Sequence, residues 1–336
     1  MFERVGDNLN RALHALLDSE PRAWFLGQDV QDPYGGAFKI SRGLSTRHPE
    51  SVISTPISEG GMMGVAAGLA LCGDRPIVEI MFGDFIALGF DQLLNFATKS
   101  VSMYGHRVPM HLVVRCPVGG GRGYGPTHSQ SLHKHLLGIP HLALFELSPF
   151  HDNVPLVERL VARGEPSVLF ENKTLYAARM YSPGEIDDLF AFDYLDPDGE
   201  FARVFIEDPA AADVVIIAPG GLAERAVTAA RDLFVALEMR CQIIVPSRLY
   251  PFDLDPLLPV LEGADRICLA EESTAGGTWA GDVAQQIYRR LWGKLKSPIT
   301  LVHSSDSVIP AAAHLESGVL VQAGTICQAL GEGLDA

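Results

Sequence analysis

Apolar residues at Val5, Leu9, Leu13, Leu16 and Leu17 recur at helical spacing across residues 2–18, so the chain is expected to open with an amphipathic helix. Short apolar runs then alternate with longer periodic segments. The runs predict strands at 24–26, 77–82, 110–116, 142–147 and 167–171. The periodic segments predict helices at 58–72, 90–103, 129–137 and 153–162. Strands rich in Val, Ile and Leu that alternate with helices imply a mostly parallel sheet with helices on both faces. From 181 to 200 the rhythm breaks into prolines, glycines and acids with aromatics between them, which reads as a linker. A second series follows, with strands expected at 214–218, 242–245, 267–270 and 299–302 and helices at 222–237, 281–291 and 325–330. The predicted organisation is α/β in two domains, 1–180 and a smaller 204–336, joined by a linker at 181–203.

Composition narrows the class. The chain has 336 residues, 47% apolar and 20% charged, enough to bury two cores. A formal net charge of −15 repels phosphate backbones and argues against a nucleic-acid partner. The five cysteines are an odd number with no C-x-x-C spacing, and four of them sit in apolar runs, which points to buried thiols rather than a zinc site or a disulfide framework. The first residues carry acids and lack the charged-then-apolar pattern of a signal segment, and no apolar stretch is long enough for a membrane span. The expectation is a cytoplasmic protein with no membrane contact.

Three stretches carry candidate chemistry. Thr55-Pro56-Ile57-Ser58-Glu59-Gly60-Gly61 opens an Ala- and Gly-rich helix. A capping Ser58 and an acid in the first turn also suit an ordinary helix start. Gly60, Gly61, Gly64 and Gly68 lower helix stability, so something is expected to lie close against that helix, most simply another helix backbone. Glu79-Ile80-Met81-Phe82-Gly83-Asp84-Phe85 ends a strand in a loop with aromatics and an acid, where open α/β sheets bind ligands, although either aromatic could equally belong to the core. Residues 119–125 hold five glycines in seven positions, and His128 closes this loop before a predicted helix. The loop is no phosphate-cradling motif, because no Lys-Ser/Thr follows. A lone histidine is more often structural than catalytic, but one that closes a glycine loop after a strand is a candidate catalytic residue. His133 and His135, two apart, share no helical face and read as surface or interface residues rather than a metal pair. Glu271-Glu272, before Gly276-Gly277, reads as solvated acids or as a contact surface for a partner chain.

Taken in order, these stretches resemble the β subunits of the thiamine-diphosphate-dependent 2-oxo acid dehydrogenases (pyruvate, branched-chain and acetoin), a branch of the transketolase-like superfamily. The matching residues are Gly27-Gln28-Asp29-Val30, Tyr34-Gly35-Gly36-Ala37-Phe38-Lys39, Thr55 to Glu59, Glu79 to Phe85, Pro117 to Gly125, His128-Ser129-Gln130-Ser131 and Glu271-Glu272. The resemblance implies a transketolase-like pyrimidine-binding domain followed by a transketolase C-terminal domain. It implies that Glu59 hydrogen-bonds the aminopyrimidine ring nitrogen of thiamine diphosphate, that Phe85 lies against that ring, and that Ile57 and Met81 line the same pocket. His128 falls on the family's active-site histidine, where imidazole can bind the substrate carboxylate or relay a proton. The diphosphate domain's Gly-Asp-Gly and later Asn-Asn are absent from this sequence. The resemblance therefore implies that Mg2+ and the diphosphate are held by an α-type partner chain in an α2β2 heterotetramer, with no metal on this chain.

The implied reaction is decarboxylation of a 2-oxo acid with acyl transfer to lipoate on an acyltransferase core. The alternative is a lipoate-independent, split-chain carboligase of transketolase or acyloin-forming type, acting on a ketose or another carbonyl compound. Gly83 to Gly89 and Ser304 to Pro310 depart from the commonest family pattern, which leaves the acceptor open between the two. A non-catalytic subunit that only binds partners is disfavoured by the presence of Glu59 and His128.

Overall fold

A computed structural model describes residues 2–209 and 212–331, which form two compact units. The first comprises residues 2–118, 136–147 and 152–180. Its strands are β1 (Ala23–Gly27), β2 (Val52–Ser54), β3 (Arg75–Glu79), β4 (Val113–Val118), β5 (Ala143–Glu146) and β6 (Ser167–Asn172). All pair in parallel, in the order β5-β6-β4-β3-β1-β2. The register sets Phe25 beside Ile77 and Ile77 beside Val113, residues of one face. Leu26, Val78 and Val114 alternate with them and are also buried. Burial on both sides is why these strands read as unbroken apolar runs rather than as alternation.

The opening helix α1 (Val5–Ser19) buries Val5, Leu9, Leu13, Leu16 and Leu17 against one sheet face, together with Leu156 and Leu160 of α5 (Asn153–Ala162). Between them in sequence lie the short α2 (Leu44–Arg47), then α3 (Glu59–Leu71) and the one-turn α4 (Thr98–Ser100). The start of α5 is set by Asp152, whose carboxylate accepts the Val154 N–H at 3.0 Å as an N-cap. The helix expected over 90–103 departs from a regular α-helix: Gln92–Ala97 is a π-helical segment that runs directly into α4. There the Thr98 hydroxyl donates to the Leu94 carbonyl at 3.0 Å.

Among the described residues the second unit comprises 119–135, 148–151, 181–209 and 212–331. Its strands are β7 (Gly184–Glu185), β8 (Phe190–Tyr194), β9 (Phe201–Ile206), β10 (Val214–Ile217), β11 (Cys241–Pro246), β12 (Arg248–Tyr250), β13 (Arg266–Thr274) and β14 (Thr300–Ser304). The sheet runs β14-β13-β10-β11-β9-β8-β7, parallel from β14 to β11 and antiparallel beyond. Its helices are α6 (Ala223–Leu237), α7 (Leu258–Gly263), α8 (Trp279–Leu291), α9 (Ala313–Val319) and α10 (Ala323–Gly331). Ala226, Ala229, Ala230 and Leu233 of α6 pack with Ile326 and Leu330 of α10 in one core.

Two expectations need correction. Residues 181–203 are not a linker: they build β7, β8 and the start of β9. Asp187, Asp196, Pro197, Asp198 and Gly199 lie between the strands, where Asp187 accepts the Leu189 and Phe190 N–H groups and Asp196 accepts those of Glu200 and Phe201. Phe190 and Phe192, two apart and both buried, carry the strand period. Residues 129–137 hold only a 3-10 turn, His133–His135. A segment this short is marginal as a helix on its own. Tertiary anchors decide it instead: Leu132 is buried, and Lys134 Nζ donates to the Thr274 carbonyl and hydroxyl at 2.9 Å each.

Candidate active site

Glu59 is the first residue of α3 and only 4% exposed, whereas Ile57, two residues earlier, is 85% exposed. The chain thus turns inward at the helix start. Gln28, just past the end of β1, donates its Nε2–H to Glu59 Oε1 at 2.9 Å. Gln28 is itself buried, so the pair is a directed contact and not a solvent encounter. Parallel-strand ends and helix N-termini are where α/β folds receive ligands, and the positive end of α3 favours a carboxylate here.

Phe85 sits on the 3-10 turn Gly83–Gly89, which abuts the first turn of α3. The approach depends on glycine. A Cβ at Gly60 would lie 3.3 Å from the Leu88 carbonyl oxygen, and one at Gly89 would lie 2.8 Å from Met63 Cγ. The object expected to lie close against the helix is therefore this turn at Gly60, and the Gln92 side chain, 3.3 Å away, at Gly64. At Gly68 nothing approaches within 4 Å. Gly83 fixes the other end of the turn: a Cβ there would meet Val118 Cγ1 at 2.5 Å and the Pro117 carbonyl oxygen at 2.9 Å. Gly83→Ala should consequently push the turn away from β4 and lower stability by roughly 1–3 kcal/mol, as overpacking does, which thermal unfolding of the variant will read. Phe82 and Phe85 are both half-buried: Phe82 packs edge-on against Phe38 with ring centroids 5.6 Å apart, and the Phe85 N–H donates to the Phe82 carbonyl at 2.9 Å. Met81 is also half-buried.

Ile57, Glu59, Met81 and Phe85 thus belong to the first unit. His128 belongs to the glycine loop, which folds with the second. Gly119, Gly121, Gly123 and Gly125 all have φ between +71° and +86°, so the loop alternates left-handed residues that only glycine adopts without strain. His128 is half-buried, with Nδ1 2.9 Å from the Thr127 hydroxyl and its N–H on the Gly125 carbonyl at 3.4 Å.

The acids at 271 and 272 are neither solvated nor free for a partner. Glu271 accepts the Ala280 N–H and the Ser273 hydroxyl. Glu272 accepts the Gly120 N–H at 3.0 Å and Arg225 Nη1 at 2.6 Å. Among the described residues no group of three or more His, Cys, Asp or Glu could hold a metal ion, and no helix is long and apolar enough to cross a membrane. Gln28 is the site residue that sequence reasoning passed over. Its signal was present, because it lies in Gly27-Gln28-Asp29-Val30 at a strand end, but a neutral amide with no charge partner in sequence draws no role by itself.

Residues 4–179 match the transketolase pyrimidine binding domain, and residues 205–326 match the transketolase C-terminal domain. The chain belongs to the transketolase-like family, in the branch formed by the β subunits of the pyruvate and acetoin dehydrogenases. The acetoin:2,6-dichlorophenolindophenol oxidoreductase subunit beta of Cupriavidus necator is 30% identical over 96% of this chain and 94% of its own. The pyruvate dehydrogenase E1 component subunit beta of Leifsonia xyli is also 30% identical, over 97% of this chain and 93% of its own. Among solved structures, a split gene transketolase described as an inactive beta4 tetramer matches with a TM-score of 0.71, covering 100% of this chain and 99% of that one. At 19% identity it speaks to the fold alone.

Proposed function

We propose that this chain is the β subunit of a two-chain thiamine-diphosphate-dependent 2-oxo acid dehydrogenase, supplying the pyrimidine-side half of the cofactor site. The observation that carries the reading is the buried Glu59 carboxyl at the start of α3, oriented by Gln28. The residues suit the group: a carboxyl fixed at a helix N-terminus can share a proton with a ring nitrogen, and half-buried Met81 and Phe85 offer apolar surface for a flat heterocycle. When bound, thiamine diphosphate would supply the nucleophilic carbon and the electron sink that decarboxylation of a 2-oxo acid requires. Glu59 holds the proton that the ring nitrogen needs. His128 binds the substrate carboxylate or moves a proton to the acyl group.

The remaining half of the site is assigned to an α-type chain in an α2β2 assembly, which brings Mg2+ and the diphosphate ligands. Ile57, Val65 and Leu88 are 85%, 58% and 65% exposed around α3, and open space lies beside Gly68, which suits a face made to be covered by another chain. The acyl group passes to lipoate on an acyltransferase core. The similarity to an acetoin oxidoreductase subunit supports a second reading, a lipoate-independent reaction that makes or breaks a bond between two carbonyl-derived carbons.

The test is co-expression with the α-type chain, followed by a screen of 2-oxo acids and acetoin with an artificial electron acceptor and with lipoamide. Acylated lipoamide supports the first reading. A carbon–carbon-bonded product with no acylated lipoamide establishes the second. In the same complex, His128→Ala should lower kcat by about 10²-fold or more while leaving thiamine diphosphate affinity within about twofold, read by turnover and by cofactor titration.

A further inference from the structure

The N–H groups of the glycine loop converge on a carboxylate supplied almost two hundred residues later. Glu316, on α9, is 3% exposed. Its Oε1 accepts the Gly121 N–H at 2.9 Å and its Oε2 accepts the Gly123 N–H at 3.0 Å. Glu272 takes the Gly120 N–H beside them, and Arg225, which holds Glu272, also donates to the Val321 carbonyl at 2.9 Å. Space is equally committed: a Cβ at Gly120 would lie 2.4 Å from Leu320 Cδ1 and 3.3 Å from Glu316 Oε1. Successive N–H groups presented by left-handed glycines form a nest that attracts anions. Here the nest is filled by the protein's own side chains, so the loop is clasped rather than poised to receive phosphate.

We infer that Glu316 is a positioning residue for His128, acting through the glycine loop. The inference rests on the proposed role of His128 in acyl transfer. Two charge-assisted hydrogen bonds from one rigid, buried carboxylate fix two peptide planes a few residues before the histidine. A displacement of about 1 Å at a reacting group can cost about 10²-fold in rate. Glutamine at 316 keeps one acceptor but turns an amide N–H toward a backbone N–H, so one half of the clasp is lost and repulsion replaces it.

The experiment uses the α/β complex, with active sites counted by bound thiamine diphosphate. Glu316→Gln should lower kcat per site about 10- to 100-fold, with cofactor affinity unchanged because Glu59 lies outside the loop. Glu316→Asp, which keeps the charge and both acceptors, should recover part of that loss. His128→Ala combined with Glu316→Gln should be no slower than His128→Ala alone, because a residue acting through His128 has nothing left to position. Trypsin, independently of turnover, should nick after exposed Arg122 several-fold faster in Glu316→Gln. An unchanged kcat per bound cofactor, or additive effects in the double variant, overturns the inference, since a stabilising residue would alter only the yield of intact sites. Should the wild-type complex turn over neither 2-oxo acid nor acetoin, the functional reading fails. The nicking rates would still decide whether Glu316 holds the loop, and equal rates would overturn that as well.

Discussion

Glu59→Gln should reduce turnover of the assembled enzyme by about 10²- to 10⁴-fold, the range removed when a positioned acid–base group is lost. The amide is nearly isosteric and can still accept the hydrogen bond that Gln28 donates at 2.9 Å, so the local fold has no reason to change. What disappears is the ability to carry a proton. A carboxyl group shares one with a ring nitrogen; an amide can only present a fixed N–H or a weakly basic oxygen. The loss should therefore appear in kcat, and in slowed exchange of the cofactor's reactive C–H proton followed by NMR, rather than in melting temperature. Wild-type turnover in this variant would remove the central support for the proposed mechanism. Gln28→Leu provides a graded companion. It leaves the carboxyl in place but unoriented, and an intermediate loss would separate orientation from proton transfer.

The sequence disclosed most about the parts governed by local periodicity. In the first sheet β1, β3, β4, β5 and β6, with α1, α3 and α5, fall close to where apolar spacing puts them, because each buries a face whose period is written in consecutive residues; the three-residue β2 was not expected. The parts that were not legible depend on distant partners. Residues 129–137 have helical spacing, yet Lys134 is tied to Thr274 and the segment makes a single 3-10 turn. The 181–203 stretch has turn-forming composition, and the Phe190/Phe192 alternation that reveals a strand is easily lost among its acids. Glu272 read as a solvated acid or a partner contact because its ion-pair partner, Arg225, lies 47 residues earlier in the chain. Glu59 and His128 were visible only through the ordered resemblance, since a first-turn acid and a lone histidine have ordinary explanations. Their settings, a buried oriented carboxyl and a loop of left-handed glycines, are tertiary facts.

Arg115→Leu should destabilise the first unit by about 3–5 kcal/mol, the cost of leaving buried carboxylates without their counter-charge. Arg115 lies in the middle of the sheet, 1% exposed, on β4. Its Nε and Nη2 make a two-pronged pair with Glu171 of β6 at 2.7 and 2.8 Å, and its Nη1 reaches Glu79 of β3 at 2.5 Å. Tyr176 adds a hydroxyl donor to Glu171 at 2.7 Å. Lysine cannot replace this planar fork, because a point charge cannot satisfy both oxygens of one carboxylate and a second carboxylate at once. Arg115→Lys should therefore recover little. For a domain of this size the loss corresponds to a fall in melting temperature on the order of 10 °C, measurable by calorimetry. Burial pushes the Glu79 carboxyl above its usual range while Arg115 opposes that rise. Removing the arginine raises it further, so protonation on acidification relieves the stranded charge. A group whose pKa is raised by folding favours the folded state at low pH and loses that benefit as pH climbs through its folded value. The gap between wild type and Arg115→Leu should then narrow as pH falls from 7 toward 5, and a gap that widens would show that the glutamate is not the residue left exposed to the penalty. Replacing Glu79, Arg115 and Glu171 together by apolar residues of similar volume should restore most of the stability, since the penalty belongs to unpaired charge and not to the absence of the ion cluster.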